Sequence, residues 1–368
     1  MRIIYADPGR IFNKNINDYA KIFSKVIKSK EYILGRNVEL FEKKVNKYLN
    51  DKGHFISCAN GTDAITLAIK ALDIKPKSLI IVPSHTAPAS IIGIINADCI
   101  PYYADIDENY PLISIKSIKE IISKKKIAAI LAIHLYGMVA DIINIKKIIK
   151  NKNIKLIEDC SQSFGSKINN KNTGTLSDAG TFSFFPTKNL STIGDGGGVW
   201  VPNTKLKNKI KMLRQYGWSK TRIVKMRGGI NSRLDEIHAA ILIERLKFIE
   251  KEIKIKSNIE KIYKSKLNTN FIFFEDFNNI KKSNHLLVAC VKKRNKLINH
   301  MRKKNIFLGI HYFPACHLNG KLSSYPRVKL KNTENLTKNI ISLPIFIDMK
   351  KYELNFIINE LNNFYEQS

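Results

Sequence analysis

The chain predicts an α/β fold with a large, mostly parallel sheet flanked by helices and a smaller C-terminal α/β part. Two observations lead there. Short apolar runs at residues 55–58, 79–82, 100–103, 127–133 and 155–157 are separated by helical segments, the rhythm of parallel strands joined by crossover helices. From about residue 251 the pattern shifts to a lysine-rich helix, then alternating strand and helix, which divides the chain into a large domain, 1–250, and a small one, 251–368.

In chain order, Tyr19, Ala20, Phe23, Val26 and Ile27 form one helical stripe over residues 17–28, and Val38, Phe41, Val45, Tyr48 and Leu49 form another after Gly35. The run 55–58 ends in Ala59, Asn60, Gly61 and Thr62 before a helix over 63–72. Such a strand, glycine turn and helix start presents free backbone amides to an anion; it is equally an ordinary connection with Thr62 as cap. The run 79–82 leads into PSHTAPAS, where His85 is placed to stack on a planar ligand or to serve as a plain structural histidine. The run 155–157 leads into Glu158 and Asp159. A buried carboxylate there needs a cationic partner, either a protonated ring nitrogen or one of the many lysines.

Residues 181–185 alternate, with Thr181, Ser183 and Phe185 on one face and Phe182 and Phe184 on the other; Pro186 stops the strand. Lys188 follows, between these aromatics and the glycine turn at Gly194, Gly196, Gly197 and Gly198. Desolvation by packed aromatics would free the lone pair of a lysine for Schiff-base chemistry, although an isolated lysine is ordinarily a solvated surface group. Near residue 231, Asn231 or Ser232 reads as a helix cap, with Asp235 and Glu236 suited to the positive helix end. The small domain reads as strand 286–291, helix 295–303, strand 307–312 and a final amphipathic helix carrying Leu354, Ile357, Ile358, Leu361 and Phe364.

Composition narrows the function classes. The chain has 368 residues, 62 Lys plus Arg against 31 Asp plus Glu, and a formal charge of +31. The lysines are scattered among isoleucine and asparagine, with no basic tail and no aromatic-basic interleaving, so specific nucleic-acid binding is not expected. The apolar runs are too short to span a bilayer and Asp7 and Pro8 interrupt the N-terminus, so a cytoplasmic, membrane-free protein is expected. Five dispersed cysteines without a CxxC pair fit reduced thiols. The histidines and cysteine of HYFPACH match no metal spacing, and no metal is expected.

Taken together, ILGRNVELFE, ANGTDAI, VPSHT, HLYG, IEDCSQSFG, FSFFPTKNL, GDGGGV, NSRLDEIHAA and HY resemble, in order and over nearly the whole chain, the DegT/DnrJ/StrS family of pyridoxal-phosphate sugar aminotransferases. The resemblance implies an aspartate-aminotransferase-like fold and a homodimer with shared active sites. It implies pyridoxal 5'-phosphate held by Lys188 as an internal aldimine, with Asp159 paired to the pyridine nitrogen and Gln162 to the ring hydroxyl. Gly61, Thr62 and Ser183 would hold the phosphate, with Asn231 from the other subunit. His85 would stack on the ring, because Ala87 stands where many members carry an aromatic residue. Tyr312, His311 and Arg233 would meet substrate. Lys188 would be the catalytic acid and base, moving an amino group from L-glutamate to a nucleotide-linked keto-sugar, with the keto group at position 3 or 4 of a 6-deoxyhexose, for surface polysaccharide or glycoconjugate synthesis. Phe164 stands where histidine is common, and the prolines of HYFPACH are displaced from the family pattern. Two alternatives stay open: amination of a small phosphorylated ketone or cyclitol, and a regulatory, nucleic-acid-binding relative without catalysis.

Overall fold

A computed structural model describes residues 2–49, 52–219, 223–275, 279–325 and 328–366. Its centre is a seven-stranded sheet built from the strands His54–Cys58, Gly197–Val201, Ala179–Ser183, Lys155–Asp159, Ile127–Ile133, Leu79–Pro83 and Ile100–Ala104, in that spatial order. All neighbours run parallel except Gly197–Val201, which is antiparallel to both strands beside it. The strands are nearly continuous apolar runs because helices cover both faces. Ile56, Ile80, Val82, Leu131 and Ile157 face one buried cluster, and Ile81, Ile130, Ala132 and Leu156 face another.

The predicted strands appear within one or two residues, but the sheet also recruits the glycine-rich segment. Gly197 pairs with both Cys58 and Ser183, and a Cβ there would sit 2.3 Å from the Asn60 carbonyl. Only glycine permits this strand to lie against the Asn60–Gly61 turn. Phe182 and Phe184 point the other way, into a cluster with Phe41, Phe55 and Phe164. Phe164, stacked on Tyr48 at 5.1 Å between ring centroids, is therefore a core residue.

The C-terminal part packs around the strands Leu287–Cys290 and Ile340–Leu343 and the helices Arg294–Lys303 and Lys351–Glu366. Its contacts reach back into the N-terminal part of the chain. The strand Ile3–Ile4 pairs with Ile306–Phe307, Lys167–Ile168 pairs with Ile280–Lys281, and position 250 lies inside the unbroken helix Ile249–Lys266. The expected strand over 307–312 is confined to Ile306–Phe307, because the backbone turns at His311 and Tyr312.

Candidate active site

The carboxyl ends of the parallel strands converge on a cavity of about 250 Å³. One end is formed by the turn after Cys58. Asn60 caps the helix Gly61–Ala71, its side chain accepting from Asp63 N at 2.8 Å; the expected cap, Thr62, lies inside the first turn. The Gly61 and Thr62 amides open the helix and, with the hydroxyls of Ser161 and Ser183, border the cavity. A Cβ on Gly61 would approach Ser183 Cβ at 2.7 Å, so glycine keeps this end open. The arrangement suits a dianionic phosphate: helix-end amides, two hydroxyls and the positive end of the helix dipole.

Asp159 lines the same cavity at the end of its strand. The residue is only 2% exposed, and its carboxylate accepts from Ser90 Oγ at 2.7 Å and from Ser161 N at 3.0 Å. Two neutral donors leave lone pairs for a further cationic partner, which a protonated ring nitrogen would satisfy. Lys188 also borders the cavity, on a turn closed by Lys188 N to Phe185 O at 2.8 Å. Burial pushes its ammonium down to about 8, against the opposing pull of the Asp159 charge. The cavity thus combines an anion seat, a carboxylate that can hold a cation and an amine that loses its proton near neutrality, which are the groups that pyridoxal phosphate requires.

Of the other expected residues, Gln162 borders the cavity. Its Oε1 accepts from Tyr136 N at 2.8 Å and its Nε2 donates to Tyr312 Oη at 2.6 Å, which brings Tyr312 alongside. His311, whose Nδ1 lies 2.8 Å from Ser342 Oγ, is held down to about 4 by burial and by the charge of Lys188. His85 is not among the residues that border the cavity. Its ring is fully buried with Nε2 2.5 Å from Tyr136 Oη, and Thr86 and Ala87 line the cavity in its place. Tyr136 donates to His311 O at 2.5 Å, so the imidazole Nε2 donates to the phenol oxygen.

Asn231 and Arg233 do not border this cavity. Asn231 is exposed and bridges to Gln215, and the Arg233 guanidinium lies 6.0 Å from the Tyr216 ring centroid. Neither Asn231 nor Ser232 caps a helix. The helix Glu236–Leu246 begins after Asp235, while Ser232 Oγ accepts from Ala59 N at 3.1 Å and braces the phosphate-type turn. Sequence reasoning also missed Ser90, Ser161, Thr86 and Asp195 at the cavity. Ser161 and Asp195 sit inside motifs already singled out, but nothing local marks Ser90 on the helix Pro88–Ile95 as a partner of Asp159.

Another buried cluster looks metal-like, since His134, Glu158 and Cys160 lie within 4.8 Å of one another. Its donors are already spent. Glu158 accepts from Gly174 N, Leu176 N and Ser177 Oγ, each at 2.9 Å, and from His134 Nε2 at 3.1 Å, while His134 Nδ1 accepts from Ala140 N. Burial alone would raise the Glu158 carboxyl; the hydrogen bonds from His134, Gly174 and Leu176 outweigh it and hold the group below its ordinary range. Burial pushes the Cys160 thiol well up, which keeps it protonated and a poor ligand.

Known proteins resemble this chain over nearly its whole length. A dTDP-3-amino-3,6-dideoxy-alpha-D-galactopyranose transaminase of Aneurinibacillus thermoaerophilus is 34% identical over 98% of this chain and 99% of its own length. A pleiotropic regulatory protein of Geobacillus stearothermophilus is 30% identical over 94% of each chain. Among solved structures, DesV of S. venezuelae in complex with a ketimine intermediate superposes with a TM-score of 0.95 at 27% identity, covering 100% of this chain and 99% of that one. The sequence model of the DegT/DnrJ/EryC1/StrS aminotransferase family matches residues 13–362, and the chain belongs to that family of pyridoxal-phosphate-dependent enzymes, with its aspartate-aminotransferase-like fold.

Proposed function

We propose that this aminotransferase moves an amino group from L-glutamate to a keto-sugar carried on a nucleotide, with the keto group at position 3 or 4 of a 6-deoxyhexose. The supporting observation is that Lys188, Asp159 and the Gly61 and Thr62 amides border one cavity. The 34% identical Aneurinibacillus relative, named for a dTDP-3-amino sugar, supports the substrate class and favours position 3.

Pyridoxal phosphate supplies an electron-accepting ring that lowers the barrier to removing a proton beside the transferred nitrogen. The residues do the rest. Gly61, Thr62 and Ser183 hold the phosphate, and Gln162 orients the ring through its hydroxyl. Asp159 keeps the ring nitrogen protonated, and the Ser90 hydroxyl fixes the carboxylate that does so. Lys188 would anchor the cofactor, and its Nζ would take the proton from the donor α-carbon and deliver it to the cofactor rather than back to the donor. In the second half-reaction it moves a proton in the opposite direction to the sugar carbon. An amine held near pH 8 by burial can serve as both base and acid in neutral solution.

The proposed assembly is a homodimer. Phe185, on the cavity rim, is 48% exposed and Ile193 is 53% exposed, an apolar surface that a second copy would cover; Asn231, itself exposed, would serve the partner's phosphate as the family resemblance implies. Sedimentation at micromolar protein tests this, and a monomer would sink it. The regulatory reading draws on the charge of +31 and on the Geobacillus relative's name. It does not call for a lysine and a carboxylate at one cavity.

The decisive experiment is the visible spectrum of the protein with pyridoxal phosphate, before and after L-glutamate and then with nucleotide-linked keto-sugars. Yellow absorption that bleaches with glutamate and returns with the sugar establishes both halves. Return only with small phosphorylated ketones or cyclitols would transfer the activity to them, and no yellow absorption at all would leave the regulatory reading.

A further inference from the structure

Lys188 also borders a second, small cavity of about 30 Å³, together with Asn189, Glu252, Lys256 and His285. Beside the half-buried Lys188 it holds a buried lysine. Lys256 projects from the helix Ile249–Lys266 with 8% of its surface exposed, and its Nζ donates to Asn189 Oδ1 at 2.9 Å. Burying an ammonium is unfavourable without a compensating partner, and the nearest acid does not offer a free one. The Glu252 carboxylate is gripped in bidentate fashion by Arg245 at 2.5 and 2.7 Å. Burial pushes Lys256 down to about 8, with the Glu252 charge resisting.

Asn189 is the next residue after Lys188, and its two ends point to different parts of the fold. While Oδ1 accepts from Lys256, Nδ2 donates to Ser283 O at 2.7 Å, and Ser283 N in turn donates to Ser166 Oγ at 3.0 Å. Ser166 Oγ donates to Gly137 O at 2.7 Å, so the chain of bonds reaches the loops that follow two strands of the central sheet. The turn carrying Lys188 is thereby tied to a long helix on one side and to residue 283 on the other.

We infer that Lys256 is a positioning residue for Lys188: through the Asn189 side chain it fixes the turn from which the Lys188 amine reaches the cofactor. The inference rests on Lys188 being the cofactor lysine. An error of about 1 Å in the placement of a reacting amine lowers its rate on the order of tenfold to a hundredfold. A lysine that merely filled space would be replaceable by methionine without loss.

The test separates the amine from the anion seat. Pyridoxal phosphate is captured when the Lys188 amine adds to its aldehyde and water leaves; pyridoxine 5'-phosphate has no aldehyde and reports only on the seat. In Lys256→Met, capture at Lys188, trapped with borohydride and located by peptide mapping, is expected to slow by about tenfold while pyridoxine 5'-phosphate affinity stays the same. Lys256→Arg should recover most of the rate. If Lys256→Met does not fold, as judged by its melting curve, Asn189→Ala removes the same link from the other side and should show the same split. Equal capture in the wild-type and variant chains, or parallel loss of capture and of pyridoxine 5'-phosphate binding, would overturn the inference. Wild-type chain that captures nothing at Lys188 would remove the lysine's proposed role and this inference with it.

Discussion

The Ser90 hydroxyl donates to Asp159 Oδ2 at 2.7 Å, joining a helix residue to a strand-end carboxylate 69 positions further along the chain. With Ser161 N on the other oxygen, it sets which lone pairs of Asp159 face the cavity. Ser90→Ala removes a hydrogen bond to a charged group, worth about 1.5–3 kcal/mol. Pyridoxal-phosphate affinity of the apoprotein, measured by fluorescence titration, should fall by roughly tenfold or more. Unchanged affinity would mean that the carboxylate is not held for the ring.

Asp159→Asn keeps the shape and removes the negative charge. Both half-reactions should slow on the order of a hundredfold, since a buried, preorganised partner for a developing charge contributes a few kcal/mol. Single-turnover absorbance with L-glutamate reads this directly, and equal rates would misplace the ring.

Lys188→Ala should abolish turnover while the protein stays folded, because it removes an amine that burial disfavours as the ammonium. Full activity in this variant, measured as amino-sugar formation, would remove the mechanism.

The same burial predicts a pH dependence. Lys188 and Lys256 are both pushed from 10.5 down to about 8, by desolvation first. Below about pH 8 both states of the chain hold these protons, and folding must bury the charge. Between 8 and 10.5 only the unfolded chain holds them, so this contribution to stability rises with pH and is lost as pH falls through 8. The apoprotein of Lys188→Ala should therefore show a shallower rise in urea midpoint over that window than the wild type. In the wild-type apoprotein, amine-selective labelling of Lys188 should have its midpoint near 8, and a midpoint near 10.5 would contradict the desolvated setting.

Gly61→Ala would press its Cβ to 2.7 Å from Ser183 Cβ, a contact real side chains do not make. Inorganic phosphate and pyridoxine 5'-phosphate should both bind at least about tenfold more weakly, because the strand or the helix start must shift and the amides then lose their aim. Retained binding would place the anion elsewhere.

The strand ends and the chemistry hung on them are legible in the residues alone. Apolar runs of strand length alternating with amphipathic stripes leave few arrangements besides a helix-covered sheet, and Asn60, Gly61, Asp159, Ser183 and Lys188 stand at or just beyond the ends of its runs. Partners that lie far apart in sequence emerge only when the chain is folded. A hydroxyl such as Ser90 carries no local mark of the carboxylate it will meet, and Ser232 matches a helix cap yet braces Ala59. His85 follows a strand as a stacking residue would, and nothing near it in sequence announces the tyrosine hydroxyl 51 positions away that its Nε2 meets. Ile3–Ile4 joins a strand more than 300 residues away, and one helix runs through position 250, because each backbone donor pairs with whichever acceptor packing brings near it. Local patterns select the elements, since propensity and periodicity act over a few residues; burial then selects the partners, since an unpaired polar group inside the protein costs more than a long loop needed to reach one.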